Sequence, residues 1–100
     1  MKHTYKIVWT DEALHGLQRT IEYIEQRWTQ KEIKNFARLL DKHLNIIKEN
    51  PKIFPRSKKS IDIRRSVLSK QTTIYYKVEN STIYLLTLFD NRQDPNKLKL

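Results

Sequence analysis

Between Lys52 and Lys70 the basic residues Lys52, Arg56, Lys58, Lys59, Arg64, Arg65 and Lys70 face one acid, Asp62. The chain also carries five Tyr and three His. The one reaction such basic and phenolic groups support alone is attack of an RNA 2′-hydroxyl on its own phosphate. Arg or Lys would stabilise the phosphorane charge, and a Tyr, Lys or His would move protons. The non-chemical use of the same charge is a docking surface for a polyanion or an acidic partner.

Other chemistries lack their residues. His3, His15 and His43 are scattered, with no carboxylate or second histidine at ligand spacing, so no metal site is expected. Ser57, Ser60, Ser66 and Ser69 sit in no nucleophile elbow. Glu22 and Glu25, or Asp11 and Glu12, read as solvated helix faces and dipole partners. With no cysteine there is no disulfide or thiolate, and a reducing cytoplasm is the default compartment. The single glycine, Gly16, excludes glycine-rich phosphate loops, and no cofactor is expected. No apolar run approaches the roughly 18 residues of a membrane span. At 100 residues, 38% hydrophobic and net charge +9, the chain reads as one domain, 1–100, able to bury a core.

The elements that must position these groups follow from periodicity. Tyr5, Ile7 and Trp9 alternate with Lys6, Val8 and Thr10 as a short strand. Thr10 is an N-cap with Asp11 and Glu12 in the first turn. Leu14, Leu17, Ile21, Ile24 and Trp28 form the buried stripe of a first helix. Thr29 and Glu32 make a capping-box pattern for a second, with Ile33, Phe36, Leu40, Leu44 and Ile47 inward and Asn50-Pro51 as its stop. A basic, Pro-bounded connection precedes strands at Ile61–Leu68, Thr72–Val78 and Thr82–Phe89. The predicted fold class is α+β, a two-layer sandwich ordered β-α-α-β-β-β. A helical hairpin covers one face of a four-stranded antiparallel sheet, order 1-4-3-2.

Strand parity then sorts the side chains. Two-residue turns at Lys70-Gln71 and Asn80-Ser81 set Val67 across from Ile74 and Ile83 across from Val78. Ile74, Tyr76 and Val78 point to the helices, with Arg65 inward opposite Tyr76. Arg64, Tyr75 and Lys77 point to the open face, beside an apolar strip of Tyr84, Leu86 and Leu88. Such a strip marks a binding surface unless the C-terminal tail folds over it.

These residues resemble the RelE/ParE superfamily of toxins from type II toxin–antitoxin systems, over nearly the whole chain. The resemblance lies in Tyr5 to Trp9 with Thr10-Asp11-Glu12-Ala13, the Asn50-Pro51 stop, and Phe54-Pro55. Ile63-Arg64-Arg65, Ile74-Tyr75-Tyr76-Lys77-Val78 and Leu88-Phe89-Asp90-Asn91-Arg92-Gln93-Asp94-Pro95 complete it. It implies a cytoplasmic, growth-inhibiting toxin, of a kind tied to plasmid stabilization, held inactive by an antitoxin encoded beside it. One branch cuts mRNA in the ribosomal A site without a metal. Carried onto this chain, that activity would use Arg64, Arg65, Lys70 and Arg92. The other, ParE-like branch poisons DNA gyrase and needs no catalytic residue.

A second Arg of the ribonuclease branch aligns with Thr73, and nothing after Tyr84 is phenolic or imidazole. The reading therefore leans to the gyrase poison, with the ribosome-dependent endonuclease as the alternative. A non-toxic basic nucleic-acid-binding module is the second alternative. Binding of antitoxin or target is expected at Lys58, Lys59, Arg64, Tyr75, Lys77, Tyr84, Leu86 and Leu88.

Overall fold

The structure, a computed structural model, describes residues 5–27, 29–93, 95–98 and 100. The expectations for His3, Trp28 and Asp94 fall outside these residues. The element order is β1 (Lys6–Trp9), α1 (Asp11–Arg27), α2 (Gln30–Glu49), β2 (Ile63–Val67), β3 (Thr72–Glu79) and β4 (Thr82–Asp90), then a 3-10 turn at Pro95–Lys97. The sheet order is β1-β4-β3-β2, as the sequence implies.

One strand direction differs. β1 pairs with β4 in parallel, Lys6 beside Thr82 and Trp9 beside Leu85, so the sheet is mixed rather than wholly antiparallel. The cause lies in the connection from 51 to 62. It runs antiparallel along the outer edge of β2, where the Arg65 N–H donates to Pro55 O (3.0 Å) and the Ser57 N–H to Ile63 O (2.6 Å). Arg56 bridges Arg64 in the same sense. This additional pass reverses the chain once more than helix and hairpin alone, and β4 returns alongside β1.

Turn length corrects a second expectation. The β2–β3 hairpin closes through Leu68 N–H to Thr72 O (2.9 Å), leaving three residues, Ser69 to Gln71, in the turn. Ser69 Oγ accepts from the N–H groups of Gln71 and Thr72, which favours this longer turn. Val67 therefore faces Thr73, not Ile74, and Arg64 rather than Arg65 lies across from Tyr76. A one-residue slip exchanges the faces of every side chain in β2. Arg64 is thus on the helix side and Arg65 on the open side. In the β3–β4 hairpin Asn80 takes a positive φ of 55°, and Val78 pairs with Ile83 as expected.

A third correction comes from a bulge. Tyr75 pairs with Thr87 but Tyr76 with Leu85, so Leu86 is an extra residue in β4. Beyond it the parity of β4 inverts. Leu88 enters the main core, while Tyr84 and Leu86 keep the outward placement that simple alternation predicts. Thr10 serves the bulge and α1 together. Its hydroxyl lies 2.7 Å from Leu85 O and 3.2 Å from Leu86 O, and its Oγ1 accepts the Ala13 N–H at 3.2 Å. This is the N-cap that the sequence suggests. Thr29 also occupies the N-cap position of α2, but its side chain makes no capping bond, so the expected capping box is absent there. The α2 stop at Asn50 is as expected.

The helix stripe is shifted as well. α1 buries Ala13 and Gly16 and leaves Leu14 47% exposed, because it packs chiefly on β4. Gly16 makes this approach possible, since a Cβ there would lie 2.7 Å from the Leu88 carbonyl oxygen. Ala13, Leu40, Ile47, Ile74, Tyr76, Ile83, Leu85 and Leu88 form the core between helices and sheet. A second cluster of Ile63, Tyr75, Phe89 and Leu98, with Leu86 packed against it, lies on the other face.

Candidate functional site

The basic connection is tied down before it reaches β2. The fully buried Tyr76 hydroxyl donates to Pro51 O at 2.6 Å. Burial of the phenol pushes its pKa up to about 12, with nearby Arg64 opposing. Arg64 Nη1 donates to Phe54 O (2.8 Å) and Lys52 O (3.3 Å). Arg64 thereby anchors the connection and does not present its charge on the open face.

Arg65 is on the open face, directly across from Tyr75. It is half-buried, and its Nε is enclosed with no hydrogen-bond partner among the described residues. Such a nitrogen keeps its desolvation cost uncompensated. The neighbouring apolar floor of Ile63, Tyr75 and Phe89 is capped by Leu98 from the tail. Lys59 Nζ donates to the Leu98 carbonyl at 2.9 Å. The strip predicted as exposed is therefore partly covered by the chain itself, while Lys58 stays exposed. Farther along the same face, Lys77 is in register with Tyr84. Lys77 Nζ lies 2.8 Å from Glu79 Oε1, and that hydrogen bond and charge hold the ammonium pKa above the usual lysine value.

Arg92 is engaged elsewhere. Its Nε and Nη2 donate to the two Asp90 oxygens at 2.9 and 2.6 Å. Its Nη1 donates to the Tyr23 hydroxyl, and its guanidinium lies 4.1 Å from the centroid of the Tyr23 ring. The hydrogen bonds from Arg92 hold the Asp90 carboxyl below its usual pKa. Lys70 is exposed in the β2–β3 turn. Thr73, at the place of the second ribonuclease arginine, is buried and donates to Asn91 Oδ1 at 2.9 Å.

Of the residues singled out in the sequence, Lys59, Arg65, Tyr75 and Leu86 are gathered around the Leu98 plug. Lys77 and Tyr84 continue that face. Arg64 lies behind it, Arg92 sits on α1, Lys70 is in the turn, and Leu88 is in the core. No group of three or more potential His, Cys, Asp or Glu ligands gathers among the described residues.

Three features escaped sequence reasoning. His43 Nδ1 and Ser66 Oγ are 2.7 Å apart, and burial followed by the charge of Lys42 lowers the imidazole pKa. An apolar groove of about 220 Å³ between the helices is lined by Leu17, Ile21, Ile33, Phe36, Ala37, Leu40, Asp41 and Leu44. Assigning every periodic apolar residue to the sheet-facing side concealed it. A cleft of about 520 Å³ separates α1 from the tail, reaching Gly16, Arg19, Asp90 and Lys97. Nothing in the local sequence brings those segments together.

A helical hairpin on a mixed sheet of order β1-β4-β3-β2 defines a small α+β protein. The family described as the ParE toxin of the type II toxin–antitoxin system, parDE, matches residues 7–95, and the chain belongs to it. It is similar to a solved structure titled the chromosomal ParDE TA system from P. aeruginosa, with 12% identity and a TM-score of 0.74. That match covers 88% of this chain and 97% of the other. It is also similar to a structure titled the YoeB dimer from Staphylococcus aureus, with 15% identity and a TM-score of 0.59. There the coverage is 86% of this chain and 95% of the other. At these identities the likeness concerns the fold. No curated protein matches the chain.

Proposed function

We propose that this toxin inhibits growth by binding its target rather than by cutting RNA, that the target is DNA gyrase, and that an antitoxin silences it in the cytoplasm. The observation that carries the non-catalytic reading is the dispersal of the four basic groups an endoribonuclease would use. Arg64 is spent on loop carbonyls, Arg92 on Asp90 and Tyr23, and Lys70 stands apart in a turn, which leaves Arg65 alone on the open face. Charge stabilisation of a phosphorane requires donors converging within hydrogen-bond reach of one phosphate. The choice of gyrase rests on family membership, and the antitoxin on membership together with the toxin–antitoxin system of the P. aeruginosa structure. The open face, with Arg65, Tyr75, Lys77, Tyr84 and Leu86, is the proposed docking surface.

The test is induction of the protein without its antitoxin, alongside assays with purified gyrase and supercoiled plasmid. Cleaved plasmid and DNA-damage signalling are expected. Normal gyrase activity at a stoichiometric excess of the protein would sink the gyrase target. Primer extension on translated messages separates the alternative, because A-site cuts that vanish on Arg65→Ala would establish the ribonuclease instead.

A further inference from the structure

We propose that the outer face of α2 is a binding strip for the sugar-phosphate backbone of duplex DNA, separate from the docking surface on the open face of the sheet. The choice of DNA rests on the reading that the target is DNA gyrase, an enzyme that works on duplex DNA.

Helix periodicity lays out the strip. At 3.6 residues per turn, Lys31, Lys34, Arg38 and Lys42 fall within an arc of about 80°. All four are exposed, and none enters an ion pair among the described residues. Asn45 extends the arc with a neutral carboxamide, and Glu49 closes it at the C-terminal end. The other two acids of α2 turn to its flanks. Asp41 lines the groove toward α1, and Glu32 lines a hollow beside Ser69 and Gln71.

A solvated helix face carries interspersed charges that pair with one another. α1 fits that description: it holds four Asp/Glu and two Lys/Arg, with Arg19 paired to Glu12 and Gln18 bonded to Glu22. α2 does not. It holds five Lys/Arg and three Asp/Glu, and Lys34, Arg38 and Lys42 stand four residues apart as like charges, an arrangement that opposes the helix. A polyanion lying along the strip removes that repulsion.

Shape and chemistry choose the occupant. From Lys31 to Lys42 the helix rises about 16 Å, the length occupied by about five phosphates of one B-DNA strand. The exposed side chains of α2 include no aromatic ring on which an unpaired base could stack. They include no large apolar group to anchor a peptide. Phosphate contacts alone remain, so binding is independent of base sequence. α2 and the open face lie on opposite sides of the sheet, so one chain can hold DNA and a protein target together.

The test is fluorescence anisotropy of the full chain, without gyrase, on a labelled mixed-sequence duplex. Four phosphate contacts require the wild-type affinity to fall about a hundred-fold between about 50 and 200 mM salt. Lys34→Gln, Arg38→Gln and Lys42→Gln combined should bind at least about ten-fold more weakly at the lower salt and lose only a few-fold across the range. Lys6→Gln, Arg56→Gln and Lys97→Gln combined remove the same charge from exposed positions on other elements, and should keep the wild-type salt dependence. Circular dichroism would confirm folding, and the α2 variant should melt no lower than the wild type because its like-charge pairs are gone.

Equal losses in the two triple variants would show that net charge alone drives binding and overturn the strip. Absence of duplex binding at low salt overturns it as well. Single-stranded DNA or poly-glutamate bound as tightly as the duplex, with the same loss in the α2 variant, assigns the face to another partner and also overturns it. Gyrase is absent from this assay, so each of these failures leaves the gyrase target standing. Conversely, normal gyrase activity in the presence of the protein removes that target without altering the duplex-binding result.

Discussion

Arg92 and Tyr23, sixty-nine positions apart, are joined twice: the guanidinium covers the phenol ring at 4.1 Å from its centroid and also donates to its hydroxyl. Arg27 approaches the same ring at 4.8 Å. The end of β4 is thereby fastened to α1 by a residue that the family resemblance would assign to catalysis. Arg92→Ala should cost about 1 kcal/mol, the scale of an exposed cation–π contact with its hydrogen bonds, read by urea unfolding. Tyr23→Phe, with Arg92 in place, should cost less, because the ring face remains and only the hydroxyl contact is lost.

The same clamp has a pH signature through Asp90. Its carboxyl titrates below the ordinary value because Arg92 bonds it. A depressed pKa in the folded state contributes stability above the unfolded value, about 3.9, that is lost as pH falls through the folded value. Acid titration of stability below about pH 4 should therefore be shallower in Arg92→Ala than in the wild type.

Gly16→Ala tests the contact between α1 and β4. Alanine is better than glycine in a helix by about 1 kcal/mol. Here, however, its Cβ would meet the Leu88 carbonyl oxygen at 2.7 Å, and a backbone oxygen cannot rotate away. The net outcome should be a loss of about 1–3 kcal/mol. For a domain of this size, thermal melting would show each kcal/mol as a fall of about 4–8 °C. An unchanged or raised melting temperature would refute this packing.

Tyr76→Phe removes the donor to Pro51 O and leaves that buried carbonyl unpaired, at a cost of about 1–2 kcal/mol. It should also change the alkaline limb. The phenol pKa is pushed up to about 12, above the unfolded value near 10. Its contribution is present below that unfolded value and disappears as pH rises through the folded one. Stability measured between about pH 10 and 12 should fall less steeply in Tyr76→Phe.

Thr10→Val deletes the hydroxyl shared among α1 and the bulged carbonyls of β4 while keeping the side chain's volume. A loss of about 1–2 kcal/mol is expected, in the range of a lost N-cap. Thr10→Ser should restore most of it. Thr29→Val should have a smaller effect in the same denaturation assay, since Thr29 makes no side-chain cap.

Much of this architecture was legible locally. Alternating Ile74, Tyr76 and Val78 identify the helix-facing side of β3, and the Thr10 cap and Asn50-Pro51 stop mark real helix ends. The order of strands followed from the order of elements. What failed depended on single-residue counts: a third residue in the Ser69–Gln71 turn exchanged Arg64 with Arg65, and one extra residue at Leu86 turned Leu88 into the core. Neither carries a glycine or proline signal that would announce it.

From its sequence alone, this protein has its element types, their spatial order, its positive charge and the RelE/ParE resemblance, because each depends on periodicity, termini or composition. Tertiary structure decided the parallel pairing of β1 with β4, the separation of the four basic groups, and the covering of the open face by Leu98. Those outcomes depend on whether remote segments meet: 51–57 beside β2, Arg92 on Tyr23, and the tail above Tyr75. Such meetings depend on side-chain packing and on carbonyls finding donors across the fold, which local periodicity does not encode.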